Sequence, residues 1–461
     1  MLIENIKSYL YDQNPWWIKS NYAVEEASLP RRELFNQIMK QLSSRQIISI
    51  NGLRRTGKTT ILKQMTAVFL QDKKTSAKNI FFFSFDQNLV GRKTEMLDRI
   101  LTVYIEEILG LKLWEMKHRV YVLLDEIQYV PDWQAIIKRF YDQSKMIKFI
   151  VSGSASLFIR EKSKESLAGR IFSFTLPILS FQEYLLIRDI DILLPKADPV
   201  NSTFDFKKIA ETLSAYSRKI SGLFEDYLLK GQFPEIAAQA DMEPAQVKQY
   251  LVDSILGKIL EFDIPIYFNI KRVDEIRSIF NVVAAETGSL MEYDTIARDV
   301  GISRNTVTEY FSMLERSYLI NMIFNYTRSV RKGLRTAKKG YVASTNFSAA
   351  LANVTPAAMQ FGQLIGHYVE TNSVNSIINK HPHVYFIKRR EKEIDLLIKE
   401  PRCLIPIEVK YTGRIRPEDY ANLTFFMNQF QCRRGFVFTK NIAEVKKVAE
   451  GEIIFLPVWT I

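Results

Sequence analysis

Apolar runs about one strand long, closed by glycine, serine or acidic residues, punctuate the first third of the chain and alternate with stretches of helical period. Residues 46–50, 79–86 and 119–124 are each built around a short apolar run, as strands buried on both faces of a parallel sheet are. Residues 148–155 form a further run that ends in small polar side chains, and 171–176 read as the last strand of the set. Residues 60–70 switch to the helical period just after a glycine-bounded turn, so a helix leaves the first strand through a tight loop.

A different rhythm occupies residues 295–314. Ala297 is the small residue where two helices cross, Gly301 makes the turn, and Val307, Tyr310 and Leu314 pack the second helix inward. Ser303 is placed to cap that second helix, leaving Arg304, Asn305 and Thr308 near its exposed N-terminal end. Residues 318–326 read as a strand, and 384–390, 394–399 and 404–410 as three more joined by short polar turns. Then 418–430, 435–439, 442–449 and 453–457 read as helix, strand, helix and strand.

At 461 residues the chain exceeds what one core organises, so about two to four domains are expected. A hydrophobic content of 47% with 25% charged residues is that of a globular protein and excludes a disordered or fibrous class. Two cysteines, Cys403 and Cys432, leave no disulfide framework or thiolate metal cluster to build. His381 and His383, on either side of Pro382, read as surface residues. The N-terminal segment lacks the features of a signal peptide, and no apolar run approaches the roughly 18 residues a membrane span needs. The expected compartment is therefore cytoplasmic, with no membrane partner. A net charge of +12 admits an anionic partner without requiring one.

The most specific chemistry lies in Gly52-Leu53-Arg54-Arg55-Thr56-Gly57-Lys58-Thr59, followed by Thr60, a complete phosphate-binding loop between a strand and a helix. Its glycines let backbone N–H groups curl around phosphate, Lys58 reaches the terminal phosphates, and the Thr59 hydroxyl can ligate Mg²⁺. The ligand this implies is ATP with Mg²⁺. The strand over 119–124 ends in Asp125 and Glu126; Asp125 is expected to hold the Mg²⁺ shell and Glu126 to orient or deprotonate the attacking water. Ser152 or Ser154, at the end of the next strand, is a candidate sensor of the γ-phosphate. Arg170 fits two readings, an arginine finger reaching a phosphate in trans within a homo-oligomer or a structural ion pair.

The succession G-L-R-R-T-G-K-T, L-L-D-E-I-Q, V-S-G-S-A-S, L-A-G-R and L-P-I-L-S-F-Q-E-Y resembles AAA+-superfamily ATPases of archaea and bacteria that carry a C-terminal restriction-endonuclease-like domain. The resemblance covers nearly the whole chain and continues through residues 231–235 and the segment around Asp253. It implies a helical lid after the core and puts Arg31 and Arg32 near the nucleotide base. Relatives carry an aromatic pair and an aspartate near position 341, where this chain has Tyr341-Val-Ala-Ser-Thr.

Residues 328–339 hold six cations in twelve positions, among them Arg335, Lys338 and Lys339, and fit a basic wing that grips phosphates beside Arg304, Asn305 and Thr308. Asp395 and Glu408-x-Lys410 match the D…(D/E)-x-K pattern on neighbouring strands. Two such carboxylates can hold Mg²⁺, the lysine can stabilise a charged phosphorane, and Glu370 is available as a third carboxylate. The triplet recurs at Glu115 and Glu444, so its weight comes from the strand context.

The expected fold is multidomain α/β: a P-loop AAA+ parallel core over 1–180, a helical lid over 181–265, a winged helix-turn-helix over 266–350 and a restriction-endonuclease-like α/β domain over 351–461. The expected function is a Mg²⁺-dependent ATPase that engages duplex DNA, its nuclease site active or silent. The alternative is an ATP-driven signalling or scaffold switch that binds a protein partner through the same two C-terminal modules.

Overall fold

The computed structural model describes residues 3–19, 21–86, 94–154, 167–201, 204–329, 336–360, 362–448 and 451–461. The chain divides into two compact units, Met1–Pro177 and Ile178–Ile461.

The first unit is built on a five-stranded sheet of order β2-β3-β4-β1-β5 in which every neighbouring pair is parallel. Its strands are β1 (Ile47–Asn51), β2 (Ile80–Ser84), β3 (Val120–Asp125), β4 (Ile147–Gly153) and β5 (Ile171–Thr175). The apolar runs of the sequence are these strands, and β1 and β4 are buried at every position, as central strands covered on both faces must be. Since β4 separates β1 from β3, their C-terminal ends lie about 10 Å apart, two interstrand spacings. A phosphate loop and an acid can face each other across that gap.

One polar side chain in this core has a structural task. Lys148, on β4, is fully buried. It donates to the carbonyls of Gln41, Ser44 and Gln46 and to the Ser44 hydroxyl, tying the turn before β1 to the strand beside it.

The second unit holds a nine-stranded sheet of order β13-β14-β12-β11-β10-β9-β7-β8-β6. The strands are β6 (Ser289–Leu290), β7 (Ile320–Asn325), β8 (Lys338–Val342), β9 (Val384–Arg389), β10 (Lys392–Lys399), β11 (Leu404–Lys410), β12 (Arg434–Thr439), β13 (Glu444–Val448) and β14 (Gly451–Pro457). β6, β8 and β7 form an antiparallel set beside the helices Val273–Ala285, Tyr293–Val300 and Arg304–Arg316. That set is joined to the C-terminal strands by a short parallel contact, Phe324 with Tyr385 and Asn325 with Phe386. One sheet therefore runs from the helix–turn–helix pair into the strands carrying Asp395 and Glu408.

The helices after the first unit, expected as a lid, contribute to this second unit. The helix Phe206–Leu229 shares an apolar core with β11, β12 and β14 through Ile220, Phe224 and Leu228. A buried polar network fixes its end: Asn346 Nδ2 donates to the carbonyls of Tyr227 and Leu228, and Ser344 donates to Gln232 Oε1 at 2.7 Å.

One element departs from the sequence reading. Residues 442–449 were expected as a helix, but Glu444–Val448 is a strand paired antiparallel with β14. The partner decides this, because β14 has an open edge whose backbone groups need satisfying and β13 supplies them. Its charged side chains Glu444, Lys446 and Lys447 then suit an outermost strand.

Replacing Lys148 by Met should leave three carbonyls without their donor and cost on the order of 3 kcal/mol of stability. Equilibrium denaturation checks this; a loss under about 0.5 kcal/mol, as for a surface change, would contradict the bracing role.

Candidate functional site

The phosphate loop leaves β1 at Asn51 and enters the helix Lys58–Gln71. Gly52 has φ +143°, and a Cβ there would sit 2.3 Å from the Leu176 carbonyl oxygen, so only glycine fits. Gly57 is left-handed at φ +97° and caps the helix without a side-chain hydrogen bond, a helix N-terminus of the kind that receives phosphate. Arg55 also has positive φ, at 63°. Inside the loop, Thr56 Oγ1 donates to the Leu53 carbonyl at 2.9 Å. Lys58 is buried and donates to the carbonyls of Gly52 (3.1 Å) and Leu53 (2.8 Å). Arg54 donates to the Tyr129 hydroxyl. Thr60 is half-buried on the first turn of the helix.

Arg32 braces this loop from outside. Its guanidinium is buried and donates to the Thr56 carbonyl at 2.6 Å and the Pro177 carbonyl at 2.9 Å. The resemblance put it near a nucleotide base; here it holds the backbone of the phosphate loop.

Asp125, at the end of β3, is the hub. Thr59 Oγ1 donates to Asp125 Oδ2 at 2.8 Å, Ser152 Oγ on β4 donates to Oδ1, and Ser84 Oγ on β2 lies 3.4 Å from Oδ2. Burial, followed by the Glu126 charge, pushes the Asp125 carboxyl up to about 6, against the Ser152 and Thr59 hydrogen bonds and the Lys58 charge. A carboxylate joined to the loop threonine is placed to share a divalent cation with it. Glu126 is left-handed at φ 52° and accepts from Gln128 Nε2, which also donates to Ser154 Oγ at 3.1 Å. Ser152 and Ser154 are thus both at the site with different partners. Gln128 carried no assignment in the sequence reading, though it lies two residues after Glu126 in L-L-D-E-I-Q.

Arg170 is not brought to this site within its own chain. It directly precedes β5, whose residue Ile171 pairs with Ile47 at the far end of β1 from the loop. Its Nε bonds Asp142 Oδ1 at 3.2 Å, the ion-pair reading of the two the sequence left open.

In the second unit, Gly301 ends the first helix of the pair in a left-handed conformation and Ser303 Oγ accepts the Thr306 N–H at 3.1 Å. Val307, Tyr310 and Leu314 are buried, while Arg304, Asn305 and Thr308 are exposed. Arg304 lies 3.3 Å from Asp294, and the Thr308 hydroxyl bonds the Arg304 carbonyl. Lys338 lies over the rings of Tyr293 and Phe324. Arg335 lies outside the described residues.

Lys339 requires a correction. Expected on a phosphate-gripping wing, it is only 4% exposed and points at Glu393 on β10 and at Glu370 on the helix Gly362–Ile378. Its ammonium lies 2.6 Å from Glu393 Oε1 and 3.2 Å from Glu370 Oε1. Burial opposes its charge, but Glu370, Asp395 and Glu393 overcome that and hold its pKa above the ordinary lysine value.

Asp395 sits at a one-residue irregularity between Ile394 and Leu397 in the β9–β10 pairing, a feature that re-aims side chains. Its Oδ2 accepts the Val409 N–H at 2.8 Å. Glu408, on the adjacent strand β11, is buried, with Oε1 bound by Lys410 at 2.8 Å. Its Oε2 is buried without a hydrogen-bond partner, a vacancy in bonding that a cation can fill. Burial and the Glu370 charge push Asp395 up to about 6; burial and the Asp395 charge push Glu408 up to about 8. Among the described residues no three His, Cys, Asp or Glu side chains form a metal cage. A divalent ion here would therefore rely on Asp395, Glu408 and oxygens from water or substrate, as Mg²⁺ commonly does. Among the same residues no helix is long and apolar enough to cross a membrane.

Loop, acid strand and intervening strand together define a P-loop nucleotide-binding domain. Residues 44–185 match the family described as AAA domain. Residues 221–358 and 364–461 match two domains of unknown function, DUF8612 and DUF4143. An uncharacterized protein of Methanocaldococcus jannaschii is 27% identical over 331 residues, 70% of this chain and 66% of the relative. One of Haemophilus influenzae is 20% identical over 441 residues, 95% of this chain and 99% of the relative. Solved structures with partial likeness include C. elegans PCH-2 (12% identity, TM-score 0.27, 52% of this chain and 60% of that one). Pyrobaculum aerophilum Cdc6p gives 10% identity and a TM-score of 0.28 over 72% of this chain and 97% of that one. AMPPCP-bound DnaA of Aquifex aeolicus gives 18% identity and 0.25 over 66% and 92%. Superpositions this loose add nothing to what strand order and loop already show.

Lys58→Ala should reduce ATP affinity at least about tenfold, read by titration with a fluorescent ATP analogue, because the loop loses its one buried ammonium. Unchanged affinity would place the nucleotide elsewhere.

Proposed function

We propose that the chain is a Mg²⁺-dependent ATPase whose turnover is coupled to duplex DNA. The observation that carries the ATPase part is the Thr59–Asp125–Ser152 connection, which joins the loop, the acid strand and the strand between them. In this reading Thr59 and Asp125 would hold Mg²⁺, which would supply neutralisation of phosphate charge. Glu126 accepts the proton of the attacking water, and Ser154, shared with Glu126 through Gln128, senses the terminal phosphate. Arg170 serves a neighbouring copy or only its ion pair with Asp142.

DNA engagement is supported by the Ser303-capped helix that exposes Arg304, Asn305 and Thr308, the arrangement of a winged helix-turn-helix with β7 and β8 as its wing. The C-terminal strands are read as a restriction-endonuclease-like domain with Asp395 and Glu408 as the metal-binding pair and Lys410 beside the scissile phosphate. The protein-partnered switch also has an observation in its favour. Lys339 is withdrawn into the protein and Arg304 faces Asp294, which weakens the basic face expected to grip DNA.

Duplex DNA should stimulate ATP hydrolysis at low salt and lose that effect steeply as salt rises, measured by phosphate release. Stimulation absent at every salt concentration would shift the reading to the protein partner. Glu126→Gln should retain ATP with turnover reduced at least about a hundredfold; hydrolysis near the wild-type rate would remove Glu126 as base. Asp395→Ala should abolish any Mg²⁺-dependent DNA cleavage, and cleavage that persists would lie outside this pocket.

A further inference from the structure

The carboxylate pocket of the second unit contains more charge than the D…(D/E)-x-K pattern specifies. Four carboxylates, Glu370, Glu393, Asp395 and Glu408, face three lysines, Lys339, Lys388 and Lys410. The hydrogen bonds and ion pairs of these carboxylates fall into two sets, with the charges of Glu370 and Lys339 also bearing on Asp395. At one end, Glu393 gives Oε1 to Lys339 and Oε2 to Lys388, at 2.6 and 3.1 Å. Glu370 Oε1 takes Lys339 at 3.2 Å and the Tyr341 hydroxyl at 2.7 Å. At the other end Asp395 Oδ2 takes one backbone N–H, Glu408 Oε1 takes Lys410, and Glu408 Oε2 is buried without a partner.

We propose that Lys339 is the resident cation of this pocket, filling its Glu370–Glu393 end so that one divalent ion binds, at the Asp395–Glu408 end. This rests on the reading of the pocket as a metal site and refines it: Glu370 is a partner of Lys339, not a third metal ligand. Lys339 suits the task because it is held rigidly. Its strand β8 pairs with β7 at Ile323 and with β6 at Leu290, and its ammonium also faces the Phe386 ring. An ammonium carries one charge and donates hydrogen bonds, so it satisfies two carboxylates without the oxygen shell a second divalent ion would need. The lysine comes from the strand beside the helix–turn–helix, so that module completes the pocket of the next.

The test is Mn²⁺ binding to the intact, nucleotide-free chain in an Asp125→Asn background that silences the nucleotide site and leaves the second pocket wild type, followed by isothermal titration and by the electron paramagnetic resonance of free Mn²⁺. With that pocket wild type the chain should hold one ion that Asp395→Asn or Glu408→Gln removes, with affinity lowered at least about thirtyfold. Glu370→Gln should keep that ion, its affinity changed less than about threefold. Lys339→Met, with folding checked by its thermal melt, should gain a second ion that Glu370→Gln then removes. A wild-type ion lost in Glu370→Gln, or an unchanged count in a folded Lys339→Met chain, overturns the role of Lys339 while leaving the metal site standing. If Asp395→Asn removes no ion, the metal site itself falls and the proposal with it. Because the Glu370→Gln comparison does not use the Lys339 variant, the proposal stays refutable even where Lys339→Met fails to fold.

Discussion

A carboxylate carried into the protein interior must be met by donors or give up its charge, and both candidate sites are organised around that constraint. At the end of β3, Asp125 is met by hydroxyls from the loop and from β4, and its pKa still rises to about 6. In the second unit Asp395 and Glu408 share a smaller supply of donors, and Glu408 keeps one oxygen without any. Such residual need makes a site receptive to a cation. It also explains why the polar side chains around each site converge from several strands, since one strand cannot surround a carboxylate with donors.

The sheet orders convert this local requirement into geometry. With β4 between β1 and β3, Ser152 can reach Asp125 while Thr59 reaches it from the loop. The short β7–β9 contact similarly places β8 in the same sheet as β10, and so lets Lys339 reach Glu393, while Glu370 meets it from the helix Gly362–Ile378. Two modules that read as separate along the chain are therefore joined through backbone pairing, and a substitution near residue 340 can disturb the carboxylates around Asp395.

Much of this was legible in the sequence. The phosphate loop, the acid pair and the buried strands follow from local pattern, because glycine-dependent dihedrals and doubly covered strands leave strong marks on residue choice. The turn at Gly301 and the Ser303 cap were equally clear, being contacts within a few residues. Legibility failed where a partner distant in sequence decides. Residues 444–448 became a strand because β14 offered an edge, and Lys339 turned inward because Glu370 and Glu393 wait there. Arg32 and Lys148 took their tasks from carbonyls that no local pattern points to.

The sequence by itself determined the nucleotide loop and its acid strand, because each depends on neighbours a few positions away. Only the tertiary structure decided which cations face solvent and which are spent on buried carboxylates. A lysine reads the same along the chain in either state, and only the packing of distant strands and a helix brings the opposing charges within 4 Å.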